Sequence, residues 1–314
     1  MRCLIVHNPQ SGPRSDEIYA FAHALAEAGD EVVFRYLGAH MEPPKATADA
    51  LSFDCVVVSG GDGTVSNVLD ELRNTQVPIL VFPSGTANLF FNNIGNAPEP
   101  AALAQACRQG RTVDVDMGEL SWVLPDGSTG RHGFIIIAGT GFDAEIMRKA
   151  EANHGDMGEI AYMLSALLTP APPVAHFVIK HDGHVDELDG IGCMVGNTSI
   201  LQNEINLFPD CRMDDGLIDI AVIQPGKTVE LLPTVLAGVL DPAGKGLGRP
   251  NFTFFQAREV EVSATPSLGM EFDGELIEGT PQTFTARVLP RALRLIVDEF
   301  SHLAYALEHN SEHQ

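Results

Sequence analysis

The chain has 314 residues, 45% of them hydrophobic, enough for a substantial core and, at usual domain sizes, about two domains. It carries 42 acidic against 19 basic side chains, a formal charge of −23, so its surface repels phosphate backbones and no nucleic-acid partner is expected. Five scattered cysteines with no C-x-x-C pair point to a reduced, cytoplasmic protein without a zinc cage.

In chain order, the first third alternates. "RCLIVHN" reads as a buried strand, followed by a helix over 15–28 that Gly29 closes. "EVVFRYL", "CVVVSG", "PILVFPSG" and "TVDVDMG" are further β-branched runs, and between them "TVSNVLDELRN", "ANLFFNNIG" and "EPAALAQACRQG" read as helices. Strands alternating with helices predict an α/β domain over 1–120, a parallel sheet with flanking helices. After residue 120 the pattern changes. "VLPDGSTGRHGFIII", "HFVIKHDGHVDEL" and "MEFDGELIEG" are β runs around Asp-Gly turns, the strongest short hairpin signal. With "LIDIAVI", "REVEVSA" and "RVLPRALRLIV" they predict a mostly antiparallel second domain over 121–291, interrupted by helices near 160–168 and 228–240. The longest apolar helical runs, "IAYMLSALLTP" and "ELLPTVLAGVL", fall short of the roughly 20 residues that span a bilayer, so a soluble protein is expected.

Three loops of the first domain carry chemistry: "HNPQSGPR" (7–14), "SGGDGT" (59–64) and "FPSGTAN" (82–88). Each follows an apolar strand, where the carboxyl ends of an open α/β sheet collect ligands. Glycine lets backbone N–H groups approach phosphate oxygens, hydroxyls add donors, and the following helix offers its positive end. Together they read as a phosphate cradle. No G-x-x-x-x-G-K-[ST] is present, and no G-x-G-x-x-G opens the first helix, which excludes a P-loop and counts against a Rossmann dehydrogenase. Asp62 places a carboxylate where phosphates should lie, an arrangement that implies an intervening Mg²⁺.

"NPQSG", "GGDGT" and "PSGTAN", in this order and spacing, resemble the diacylglycerol kinase catalytic family, which includes bacterial lipid kinases and sphingosine kinases. "VGN" (195–197), "FPDCRMDDGLIDI" (208–220) and "FDGE" (272–275) fall where that family has counterparts. The resemblance implies a nucleotide-binding α/β domain and a β-sandwich substrate and metal domain, with the last segment, 292–314, packing back on the first. It implies ATP and Mg²⁺ as cofactors and a lipid hydroxyl, as of diacylglycerol, as acceptor. The nucleotide site would comprise Asn8, Ser11, Gly12, Gly60, Gly61, Asp62, Gly63, Thr64, Gly85, Thr86 and Asn88. Glu275 would be the general base with Asp273 beside it, and Asp62 would serve catalysis through its metal. "RMDDGLID" resembles a structural Mg²⁺ site made of Asp215 and the carbonyls of Arg212 and Leu217. Ser66 and Asn67 replace the Asn-Glu that often follows GGDGT-x, and "LGAHMEPPKATADA" matches no usual adenosine-side pattern. A soluble alcohol, sphingoid base or NAD-like acceptor, and a nucleotide-binding regulator without catalysis, stay open as alternatives, and so does a homodimer. Reaching a membrane lipid requires transient contact with a membrane surface, expected near Lys245 and Arg249 in the loop "DPAGKGLGRP" or near Arg148 and Lys149.

Overall fold

The structure, a computed structural model, describes residues 1–12, 16–141, 173–202, 205–225 and 246–304, and single residues between 237 and 244. Arg148, Lys149, Lys245, the helix expected at 160–168 and most of that at 228–240 lie outside the described residues. The chain divides into two units: Met1–Met117 with the residues from Pro290 onward, and Gly118–Leu289.

The elements of the first unit run β1 (Arg2–His7), α1 (Glu17–Glu27), β2 (Glu31–Tyr36), α2 (Pro43–Thr47), β3 (Cys55–Gly60), α3 (Asp62–Leu72), β4 (Pro78–Pro83), α4 (Leu89–Ile94) and α5 (Pro100–Gln109). β5 (Thr112–Val123) then leads into the second unit. There follow β6 (Thr129–Phe134), β7 (Ile137–Gly141), β8 (Ala175–His181), β9 (His184–Gly190), β10 (Gly192–Gly196), β11 (Ile200–Gln202) and β12 (Ile205–Asn206). β13 (Ile218–Ile223), β14 (Phe252–Ala257), β15 (Glu259–Thr265), β16 (Met270–Phe272) and β17 (Glu275–Leu276) complete it, and β18 (Thr283–Ile296) returns the chain to the first unit.

In the first unit the strands pair in parallel in the order β2-β1-β3-β4, with the end of β18 beside β4. β1 from Cys3 onward and the whole of β3 are buried, as expected of strands covered on both faces. The covering helices present apolar residues at helical spacing: Ile18, Phe21 and Leu25 on α1, and Val65, Val68, Leu69 and Leu72 on α3. Each such burial is worth about 1.5–3 kcal/mol. The chain's return is fastened by polar bonds: Asn96 donates to the Ile296 carbonyl (3.1 Å) and accepts from the Asp298 amide (3.0 Å), and Asp298 in turn accepts from the Ala97 amide (2.7 Å).

The second unit pairs β18, β15, β8 and β9 antiparallel in one sheet, and β14, β13, β10, β7, β16 and β17 antiparallel in another. Its core takes alternate residues from both sheets: Phe177 and Ile179, Val260 and Val262 from one, Ile218, Ile220 and Val222, Cys193 and Val195 from the other. The Asp-Gly pairs are hairpin turns as read: Asp182-Gly183 joins β8 to β9 with φ of 46° and 80°, Asp273-Gly274 joins β16 to β17 with φ of 45° and 86°. Among the described residues no helix is long and apolar enough to cross a membrane.

One expectation fails in this unit. Arg249 is not a surface cation: it is 7% exposed and donates to the carbonyls of Asn206 (3.0 Å), Leu247 (3.0 Å) and Asp241 (2.9 Å). An exposed guanidinium would leave those carbonyls to other donors, whereas buried it ties the loop to β12. It therefore offers no charge to a membrane.

Candidate functional site

In the order β2-β1-β3-β4 the chain leaves β1 toward one edge for β2 and returns on the other side of β1 for β3. The crevice at the carboxyl ends of β1 and β3 is thus the topological switch point, where open α/β sheets bind ligands. The residues after β1 and β3 stand there, and the loop after β4 joins them.

The three loops touch through their glycines. Gly12 has φ +52°, and a Cβ on it would lie 2.6 Å from the Ser84 carbonyl oxygen. A Cβ on Gly85 would lie 2.5 Å from the Cα of Gly61. No side chain fits at either contact, so each loop rests on the backbone of the next. Side chains complete the frame. Asn8 donates to the Thr64 hydroxyl (2.9 Å), and the Asn88 amide group closes its own loop on the Gly85 N–H (2.8 Å) and carbonyl (2.9 Å). Asn88 adopts a left-handed backbone (φ 49°), which asparagine tolerates, so its side chain shapes the loop. Ser11 is buried and Thr86 is exposed.

"GGDGT" is not a loop ahead of the helix but its beginning. Gly61 is the N-cap, and Asp62, Gly63 and Thr64 form the first turn of the 11-residue α3. Helices leave the N–H groups of that turn without intrahelical acceptors, and the macrodipole makes them attractive to anions. Gly60 admits the Thr64 side chain, which would lie 2.5 Å from a Cβ there.

Asp62 is half-buried, and its carboxylate has partners in the third loop. Oδ2 accepts from the Leu89 N–H (3.0 Å) and Oδ1 from the Phe90 N–H (3.0 Å), so Asp62 clasps the first turn of α4. Beneath the loops lies a chain absent from the expected site: His7 Nδ1 bonds the Ser59 hydroxyl (2.9 Å), which bonds the Ser84 hydroxyl (2.6 Å). All three are buried, and burial pushes the His7 imidazole pKa down, toward the neutral ring that can share a proton with Ser59. A polar residue closing an apolar strand was the signal in the sequence for each.

In the second unit Asp273 does not act as a free carboxylate. It is 7% exposed and accepts from three successive amides, Ile135 (2.7 Å), Ile136 (2.8 Å) and Ile137 (3.0 Å). Asn197 of "VGN" bonds the same segment, donating from Nδ2 to the Ile135 carbonyl (3.1 Å) and from its backbone N–H to the Ile136 carbonyl (2.9 Å). Asp273 thereby fixes the hairpin that ends in Glu275, which is exposed at the start of β17. Phe272 anchors the turn, with its ring against those of His132 (4.6 Å) and Trp122 (6.1 Å).

Of the expected Mg²⁺ donors, Asp215 is exposed and accepts from the Leu217 amide (3.0 Å) in a tight turn, and Arg212 pairs through two bonds with Asp214. Asp219, at the end of the same motif, is buried; Oδ1 accepts from Gln256 (3.0 Å), whereas Oδ2 meets no hydrogen-bond donor. Burial raises its pKa, with Asp215 and Asp210 adding to the effect and Cys211 and Gln256 opposing it. Among the described residues no three His, Cys, Asp or Glu side chains are placed together to hold a metal.

Residues 2–120 match the family described as the diacylglycerol kinase catalytic domain, and residues 136–297 the YegS C-terminal NAD kinase beta sandwich-like domain. A Pseudomonas aeruginosa protein named "Probable lipid kinase YegS-like" is 30% identical over 93% of this chain and 92% of its own length. The chain belongs to the diacylglycerol kinase catalytic family. As a member it is a kinase, a phosphotransferase with an alcohol group as acceptor. A Mycobacterium tuberculosis diacylglycerol kinase is 29% identical to it over 80% of this chain and 79% of its own length. The crystal structure of a diacylglycerol kinase from Bacillus anthracis str. Sterne has the same fold as this kinase, with a TM-score of 0.72 at 21% identity, covering 95% of this chain and 97% of the other.

Proposed function

We propose that the protein transfers the terminal phosphoryl group of ATP to a hydroxyl of diacylglycerol or a related lipid, with Mg²⁺. The observation that carries the ATP reading is the frame at the switch point, in which glycine backbones of three loops meet around the N-terminus of α3. Phosphoryl transfer asks mainly for positioning and charge neutralisation, which backbone N–H groups and a helix terminus supply. The lipid acceptor rests on kinship with proteins named lipid or diacylglycerol kinases. Glu275 takes the proton of the acceptor hydroxyl, and Asp273 holds the turn that presents it.

The residues fit a divalent cation near "RMDDGLID": the buried Asp219 oxygen without a donor and the acidic neighbours Asp215 and Asp210 would favour one. Asp215, with the carbonyls of Arg212 and Leu217, would hold it. Mg²⁺ would neutralise charge and stiffen this loop. Asp215→Ala is accordingly expected to lower the melting temperature more in Mg²⁺ than in a chelator, because a bound ion stabilises only the folded state. An equal loss in both media reduces the motif to a turn.

The test of the function is ADP release in Mg²⁺ against a panel of diacylglycerol, monoacylglycerol and sphingoid base in uncharged mixed micelles, and of water-soluble alcohols. Lipid-dependent release is expected. Release with soluble alcohols alone replaces the acceptor class, and nucleotide binding with no release for any acceptor leaves a regulator.

A further inference from the structure

The first unit carries an aromatic surface beside the cradle that plays no part in the phosphate contacts or the proton transfer. β2 is the edge strand of the parallel sheet, and Phe34 and Tyr36 stand on the same face of it with rings 5.6 Å apart and nearly parallel, 11° between planes. Tyr19, from α1, stacks on Phe34 at 5.6 Å. His7 braces both tyrosines edge-on, at 5.9 Å from Tyr36 and 6.1 Å from Tyr19. Tyr19 and Tyr36 are each 46% exposed, so the surface is partly open to solvent.

The register places this surface with respect to the cradle. His7 lies opposite Tyr36 on one side and opposite Ser59 on the other. With strands about 4.8 Å apart, Tyr36 sits roughly 10 Å across the sheet from Ser59, at the same carboxyl edge. Ser59 leads directly into Gly60, Gly61 and the first turn of α3. A ligand with phosphates at that turn and a flat ring one sugar away would reach the exposed tyrosine. A π face accepts a base by stacking, whatever that base's hydrogen-bonding edge.

We infer that Tyr36, backed by Phe34 and Tyr19 and braced by His7, is the platform on which the adenine base of the nucleotide stacks. This rests on the ATP reading of the cradle. The interaction discriminates a nucleoside triphosphate from a bare polyphosphate, because only the former has a ring to offer. Tyrosine suits such a platform, since its ring has few rotamers to lose and the rings of Phe34 and His7 pack against it.

The experiment is calorimetric binding of Mg-ATP and of Mg-tripolyphosphate to the full chain, unaltered and as Tyr36→Ala and Tyr36→Phe, with the melting temperature of each variant recorded. Tyr36→Ala is expected to weaken ATP about 5- to 150-fold, the span that base–aromatic stacking gives, and to leave tripolyphosphate unchanged. Tyr36→Phe, which keeps the π face, is expected to bind ATP nearly as the unaltered chain does. Equal weakening of both ligands by Tyr36→Ala, or of neither, overturns the inference and leaves the tyrosines as a shield for the sheet edge. Unaltered protein that binds ATP no more tightly than tripolyphosphate overturns it too while sparing the cradle. Failure of both ligands to bind the unaltered chain overturns the ATP reading itself, and this inference with it.

Discussion

Glu275→Gln is expected to lower kcat by about 10²–10⁴-fold while ATP still binds, the usual contribution of a positioned general base. Two carboxylates flank Gly274, and the structure separates their roles. Asp273 is buried and has its oxygens turned to three backbone amides, so its lone pairs are occupied in holding the segment at Ile135–Ile137. Glu275, two residues on, is exposed at the start of β17, where it pairs with Phe272. Glutamine keeps the shape and removes the basic oxygen, so the fold should hold and the chemistry should slow. Steady-state kinetics with a separate ATP-binding measurement distinguishes the outcomes. Unchanged kcat with weakened ATP binding makes Glu275 a metal or nucleotide ligand, and the base must then be sought elsewhere.

Asp62→Asn is expected to lower kcat/KM by about 10²-fold or more, as loss of several kcal/mol of metal-mediated charge neutralisation would do. The structure adds a second consequence that the motif alone did not suggest. Both oxygens of Asp62 accept backbone N–H groups, from Leu89 and Phe90. Asparagine has one carbonyl oxygen, so its NH₂ group would face one of those N–H donors, and one bond is lost. Hydrogen bonds to a charged group are worth about 1.5–3 kcal/mol, so the melting temperature should fall as well, in chelator and without nucleotide. Activity and apo stability falling together mean that Asp62 both clasps α4 and serves the phosphates. A stability loss with near-normal turnover leaves only the clasp, and sinks the metal assignment.

Much of the kinase was legible because its signals are local. Apolar runs of β-branched residues, helical spacing as in Val65, Val68, Leu69 and Leu72, and Asp-Gly pairs at φ > 0 are each settled within a few residues, by side-chain sterics and backbone conformation. The parallel and antiparallel halves follow from how those elements alternate, and the glycine loops fall at strand ends for the same reason. What the carboxylates and cations do was decided only in three dimensions. Asp273 meets Ile135 from 138 residues away, Asp62 meets Leu89 across two loops, and Arg249 turns inward to the carbonyl of Asn206. The His7–Ser59–Ser84 chain joins the carboxyl ends of β1 and β3 to the residue that follows β4. A charged side chain reads alike in sequence whether it faces water, a metal or a buried amide. Its role depends on which unpaired backbone groups the fold brings against it, because a buried polar group must be satisfied wherever its partner comes from.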